Sequence, residues 1–349
     1  MRRHYIYQAK QNHPATYEES PDFKGPLVLK QGITTSDNRC RIQDYYYFIQ
    51  NSKNKNNDDG SSSSHDQHNM LMLPKEQIQP LKQTDCTDRI LKSIIDHLAY
   101  NNAPVDVKEV AESIEFFLRT RKRLIGAAKK FHLKCDRQKL QLGGDASFCK
   151  ETKDSSTFAA KRSIRVYDLC SGHGLTGILF AACNPPNKDR VVKTVLVDQI
   201  EPPSFQILSG LIGQICPWLK DAIQYESVSL EEFLQQQQMQ NENVNSNQEE
   251  DKEDIAKLVI STHACGSLTD KVLEIAVNIN ACGIAAMPCC YTGTDKGTPY
   301  GIKRALGVSW SADIRRCFYL NDNNYHSDLA TIPKEITPMN RIIVAEDRS

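Results

Sequence analysis

Two carboxylates and a run of glycines are placed where they could hold a nucleoside cofactor. Val166-Tyr167-Asp168-Leu169-Cys170-Ser171-Gly172-His173-Gly174-Leu175-Thr176-Gly177 reads as a buried strand, a glycine turn and the start of a helix. Backbone amides at such a helix start face anionic groups. The spacing Gly172-x-Gly174-x-x-Gly177 also fits a dinucleotide fingerprint, so the glycines alone leave the cofactor open. Asp168 narrows the choice by its charge. A pyrophosphate at this turn would meet its carboxylate at close range, and two anions in a partly desolvated cleft repel by roughly several kcal/mol. S-adenosylmethionine reverses that sign, because it brings an α-ammonium and a sulfonium. Its α-carboxylate can use the loop and helix N-terminal amides, worth about 0.3–1 kcal/mol from the dipole.

A second acid follows. Val191-Val192-Lys193-Thr194-Val195-Leu196-Val197-Asp198 is another apolar strand closed by a carboxylate, at the distance from the glycines where a strand-end acid reaches a ribose hydroxyl pair. Farther along, Thr262-His263-Ala264-Cys265-Gly266-Ser267-Leu268-Thr269-Asp270 and Met287-Pro288-Cys289-Cys290-Tyr291-Thr292-Gly293 each follow a strand-like run. In a doubly wound sheet these loops neighbour the cofactor turn and face the methyl acceptor. Methyl transfer is an in-line displacement whose catalysis is largely alignment, with a base needed only if the acceptor must lose a proton early. His263 is the natural base, with an ordinary pKa near ~6.5, or else a shaper of its own loop and a neighbour of the cofactor. One of Cys289 and Cys290 packs and the other lines the pocket, while Tyr291 stacks on adenine or an aromatic acceptor. Adjacent cysteines are poor ligands for one tetrahedral metal ion unless other partners stand close. Cys265 and His263 could complete such a site, but no metal is expected.

Strands ending near Cys170, Asp198, Ser227, Thr262 and Pro288 alternate with helices such as Leu175 to Ala182, Ser204 to Ile215 and Thr269 to Asn278. That alternation means right-handed crossovers and a parallel sheet covered on both faces, with ligands at the carboxyl ends of its strands. Upstream, Asp85 to Tyr100 and Val105 to His132 carry helical periodicity. Val110, Ile114, Phe117, Leu118, Leu124, Ile125, Ala128 and Phe131 share one face of the second. Its other face is basic, with Arg119, Arg121, Lys122, Arg123, Lys129, Lys130 and Lys134 either solvated or offered to RNA or protein.

The chain has 349 residues, with 43 basic residues balancing 43 acidic ones, so no global field recruits nucleic acid or membrane. Its longest apolar run, Leu175 to Cys183, is too short to span a bilayer. The basic N-terminus lacks the apolar stretch of a secretory signal. Twelve scattered cysteines without a Cys-x-x-Cys suggest reduced thiols and a cytoplasmic or nuclear setting. The expected organisation is an N-terminal extension over 1–50, a disordered linker over 51–80, a helical segment or lid over 84–150, and a cofactor domain over 160–349. A polar insertion at 235–254 interrupts that domain as a disordered loop after a short helix from Leu230 to Leu234.

The glycine motif, His263-Ala264-Cys265-Gly266 and Pro288-Cys289-Cys290-Tyr291 together resemble a class I, S-adenosylmethionine-dependent methyltransferase-domain family. Broad relatives of that family include the tRNA 2′-O-methyltransferase of acceptor-stem position 4 and the methyltransferase domain of a glutathione-transferase-C-terminal-domain-containing protein. Ala312-Asp313-Ile314-Arg315-Arg316, Tyr325 and the run from Ile336 to Ala345 are similar too, so the resemblance covers roughly Ile164 to Glu346. It implies a Rossmann-like α/β fold with a seven-stranded, mostly parallel sheet. The last two strands would form an antiparallel hairpin, here Arg316 to Leu320 and Arg341 to Ala345. It further implies that Asp168, Gly172 and Gly174 meet the methionine part, Asp198 the ribose, and the segment Tyr225-Glu226-Ser227-Val228 the adenine; Cys170 of the same turn is a further cofactor-binding candidate. The acceptor is open, with RNA placed before protein or a small molecule; the alternative is an idle S-adenosylmethionine-binding scaffold.

Overall fold

The computed structural model describes residues 20–26, 29, 40–43, 80–142, 162–246, 254–294 and 298–348. The expected 51–80 linker and most of the N-terminal extension lie outside them. Seven strands form one sheet: β1 (Arg162–Leu169), β2 (Arg190–Asp198), β3 (Ile223–Ser227), β4 (Ile255–Ser261), β5 (Gly283–Ala286), β6 (Tyr325–Thr331) and β7 (Arg341–Asp347). Their order is β3-β2-β1-β4-β5-β7-β6. The first five are parallel, and β7 runs antiparallel to both β5 and β6. Ahead of the sheet run α1 (Thr87–Tyr100) and α2 (Val107–Leu142). The others follow in chain order as α3 (Leu175–Ala182), α4 (Pro203–Ile215), α5 (Leu230–Ser246), α6 (Ser267–Asn278) and α7 (Tyr300–Asp322).

The apolar runs of the inner strands reflect burial on both faces. Along β1, Ile164 and Val166 join the core under α1 to α4, while Tyr167 and Leu169 join the core under α5, α6 and α7. Asp168 falls on the first of these faces by the two-residue alternation of a strand. The apolar stripe of α2 behaves as its spacing implies. Val110, Ile114, Phe117, Leu124 and Ala128 are buried, with Leu118, Ile125 and Phe131 packed against them. This helix lies along α3, β4, β5 and β7, so it covers the sheet itself.

Two expectations are corrected. The polar stretch after Leu234 continues α5 to Ser246. Glutamine is a good helix former, and Gln237, one turn after buried Phe233, is itself buried and accepts a hydrogen bond from the Tyr167 hydroxyl at 3.2 Å. The rest of that insertion, 247–253, lies outside the described residues. The other correction is at the hairpin: Arg316 to Leu320 belongs to α7, and its strand is β6, Tyr325–Thr331. Ala312, Arg316 and Leu320 recur every four residues on the buried side, which is helical spacing. The apolar look of the segment hid that period because two of its buried residues, Asp313 and Arg316, are charged.

Gly177 shows how closely α3 meets the sheet. A Cβ there would overlap Leu196 Cδ2 and stand 2.9 Å from Asp168 Oδ2. Gly177→Ala is therefore expected to destabilise the chain by about 1–3 kcal/mol through overpacking. A thermal melt should fall by several degrees; an unchanged melt would show that this approach is not tight.

Candidate functional site

At the carboxyl ends of β1 and β2 the chain makes a turn of left-handed residues. Cys170, Gly172 and Gly174 have φ of 58°, 54° and 75°. Gly172 and Gly174 adopt this freely, whereas Cys170 carries a Cβ there at a cost of about 1–3 kcal/mol. Three contacts hold the turn. The Gly172 amide donates to Asp198 Oδ2 at 2.8 Å, the Ser171 amide to Val197 O at 3.2 Å, and the Tyr225 hydroxyl to the Gly172 carbonyl at 3.0 Å. Asp198 pairs in register with Ser227, which is exposed at the end of β3. Asp168, Cys170, Gly172, Gly174, Asp198 and Ser227 thus share one rim.

Asp168 is 1% exposed. Its Oδ2 accepts from the Gly177 amide at 2.9 Å, and its Oδ1 is buried with no hydrogen-bond partner. Burial pushes its carboxyl up to about 7, the Gly177 hydrogen bond opposes that, and Asp198 adds to it. An orphaned, buried carboxylate oxygen at this turn fits a ligand that brings a cation, as the α-ammonium of S-adenosylmethionine does. Burial also pushes the Cys170 thiol up to about 12, with Asp198 and Asp168 adding to the effect, so Cys170 offers a neutral sulfur here.

His263 follows β4 and meets His173 of the glycine turn, their ring centroids 6.0 Å apart. A third member joins them without any local motif to mark it. Glu109, in the first turn of α2, stands 3.5 Å from His173 Nε2. Because His173 Nδ1 accepts the Leu175 amide at 3.2 Å, its ring proton belongs on Nε2, facing Glu109. The contact with His173 is the main cause of a Glu109 pKa lowered to about 2. Burial, followed by the neighbouring His173, lowers His263 to about 4. It is therefore neutral at pH 7 and too weak a base to match the ~6.5 expected of a free imidazole. An acid in α2 meeting a histidine beyond the end of β1 could not be read from spacing.

The loops after β4 and β5 converge. Gly266, at φ 57°, donates its amide to Cys290 O at 3.3 Å, and a Cβ on it would overlap the Thr292 carbonyl oxygen. The reduced-thiol expectation is corrected at one pair. Cys265 and Cys289 are joined as a disulfide, their Cα atoms brought to 5.4 Å by this loop contact. Tyr291 is corrected as well. Its hydroxyl donates to Asp313 Oδ2 at 2.6 Å, and its ring meets the guanidinium groups of Arg316 and Arg341, each 5.7 Å from the centroid, so it is engaged by protein rather than free to stack on adenine. Part of the basic face of α2 is likewise spent. Arg119 pairs with Glu115, Arg121 donates to Thr87, and Arg123 and Lys130 both pair with Glu346.

Residues 219–296 match the model of a family described as a methyltransferase domain. The segment so matched runs from just before β3 through the loop after β5. No curated protein matches the chain, so the narrower relatives suggested by the motifs find no support there. Among solved structures it is similar to a SAM-dependent methyltransferase from Agrobacterium tumefaciens, at 10% identity over 54% of this chain and 57% of that one, TM-score 0.32. It is also similar to the fibrillarin pre-rRNA processing protein of Methanococcus jannaschii, at 11% identity over 54% and 68%, TM-score 0.30. A third is the 23S rRNA methyltransferase ErmE, at 10% identity over 58% and 70%, TM-score 0.29. At such identity and overlap the likeness reaches no further than the fold. Among the described residues no helix is long and apolar enough to cross a membrane.

The buried acid sets a pH dependence for any cationic ligand of this turn. An ammonium against Asp168 favours its ionised form, so binding must expel the proton that the free domain holds below about pH 7. S-adenosylmethionine affinity should weaken as pH falls from 7 to 5, approaching ~10-fold per unit. Isothermal titration of the Asp168→Asn variant should show weaker binding and no such slope. A slope shared by both proteins would place the titrating group elsewhere.

Proposed function

We propose that this chain transfers the methyl group of S-adenosylmethionine to RNA. When bound, the cofactor supplies a methyl group activated by its sulfonium. The protein's part is orientation. Asp168 Oδ1 would accept from the α-ammonium, and Asp198 would exchange its Gly172 contact for the ribose hydroxyls, freeing the Gly172 amide for the α-carboxylate. Ile200, 76% exposed two residues after Asp198, offers an apolar face to adenine beside Ser227. His263, neutral and next to His173, accepts a hydrogen bond from the acceptor and so fixes the attacking lone pair in line with the methyl group.

One observation favours a polymer as acceptor. Lys122, Lys129 and Lys134 of α2 are exposed, while Glu109 of the same helix stands at the donor turn. At the rise of an α-helix these cations lie about 20 to 38 Å from Glu109, beyond the reach of a metabolite held at the donor. A phosphate backbone spans that distance and would meet charges not already paired within the domain.

Incubation with S-adenosylmethionine labelled in its methyl group, with the RNA, protein and small-molecule fractions of a cell extract offered separately, tests this. Label should enter RNA and be lost with Asp168→Asn. Lys122→Glu combined with Lys129→Glu and Lys134→Glu should lower RNA labelling at least ~10-fold with cofactor affinity unchanged. Label in protein or metabolite alone would overturn the RNA reading. Tight cofactor binding without any labelled product would favour an idle scaffold.

A further inference from the structure

The disulfide leaves one feature of the converged loops unexplained, a third thiol. The Sγ atoms of Cys265, Cys289 and Cys290 all lie within 4.8 Å of one another, half-buried or exposed at the loop surface. Cys289 and Cys290 are adjacent in the chain and make poor joint ligands by themselves, but Cys265 of the other loop supplies the close third partner that their spacing lacks.

The surroundings are built to hold these loops. From α7, Arg316 Nη2 donates to the carbonyl of Gly266, next to Cys265, at 2.8 Å. Asp313 accepts from the hydroxyl of Tyr291, next to Cys290, at 2.6 Å. Arg316 and Asp313 pair with each other at 3.2 Å, and Arg316 is 1% exposed and Asp313 fully buried. Arg316 also binds Asp270, and Arg341 binds Asp313. Burying several charges is costly unless each is paired and hydrogen-bonded; here they are, and two of those bonds reach the segments that carry the three sulfurs. Hydrogen bonds that orient the neighbours of ligating groups are the usual second layer of a metal site.

We propose that Cys265, Cys289 and Cys290, when reduced, form a three-thiolate site for a thiophilic d10 cation, with zinc as its probe. Three protein ligands leave a fourth position for water or an acceptor atom. Two electrons from a phosphine reductant and two protons turn the Cys265–Cys289 bond into two thiols. Binding one Zn²⁺ then expels one proton from each of the three. The site is distinct from the donor turn, so it stands or falls independently of methyl transfer.

The test titrates the phosphine-reduced full chain with zinc against a chromophoric chelator. One equivalent should bind per chain, and cobalt in its place should give thiolate-to-metal charge-transfer absorption. Cys290→Ser should abolish stoichiometric binding, whereas Cys317→Ser, outside the cluster, should keep it. Tyr291→Phe, which frees the loop from Asp313, should weaken it ~10–100-fold. In the unmutated chain, zinc should protect Cys265, Cys289 and Cys290 together from alkylation as read by mass spectrometry, a measurement that needs no variant to fold. Absence of stoichiometric zinc in the reduced chain, equal behaviour of Cys290→Ser and Cys317→Ser, or alkylation of all three thiols in the presence of zinc would each overturn the proposal.

Discussion

A carboxylate sealed at the end of a central strand with half of its hydrogen-bonding capacity unused is the constraint around which this domain is arranged. Asp168 has one oxygen on the Gly177 amide and the other on nothing. A buried polar atom left so costs about 1–3 kcal/mol, and more when charged. Such a cost persists where a ligand relieves it. The surrounding structure keeps the acid in place. Gly177 must be glycine for α3 to come close enough to donate, and the left-handed turn through Cys170 and Gly174 carries the chain from the strand end into that helix. Tyr225 and Asp198, from the two neighbouring strands, hold the turn from the other side.

The acceptor side uses a different device. The histidine and cysteine loops are positioned from behind by α7, whose Asp313 and Arg316 reach one loop each while pairing with one another. Removing one charge from such a pair strands the other, typically at a cost of about 3–5 kcal/mol. The first turn of α2 closes the arrangement by setting Glu109 against His173. The helical segment ahead of the sheet is thereby tied to the donor turn by a polar contact as well as by its apolar stripe.

Local signals in the chain were sufficient for the strand, turn and helix that carry Asp168 and for the strand that ends at Asp198. The acid, the glycines and the second acid lie within about 30 residues of one another, and strand alternation and helix starts are short-range properties. The helices flanking the turn and the carboxyl ends of the first five strands could be read in the same way. What failed depended on partners far away in sequence. Tyr291 looked like a free aromatic until Asp313 and Arg341 were brought to it. The lysines and arginines of α2 looked like one basic face until Glu346, more than 200 residues later, took two of them. The α7 segment looked like a strand because its buried charges satisfy one another, which no local hydrophobic pattern records. The unperturbed pKa assigned to His263 failed for the same reason, since burial and His173 both come from the fold.

The central claim is that the free oxygen of Asp168 meets the α-ammonium of the methyl donor. A double-mutant cycle tests it directly, comparing S-adenosylmethionine with its analogue lacking the α-amino group, each titrated into the wild-type chain and into Asp168→Asn. A charge-assisted hydrogen bond in a buried setting should appear as a coupling of about 1.5–3 kcal/mol between the two changes. Wild type should then discriminate between the ligands at least ~10-fold more strongly than the variant. Equal discrimination by both proteins would contradict the account, because the buried acid would then be answering to something other than the donor.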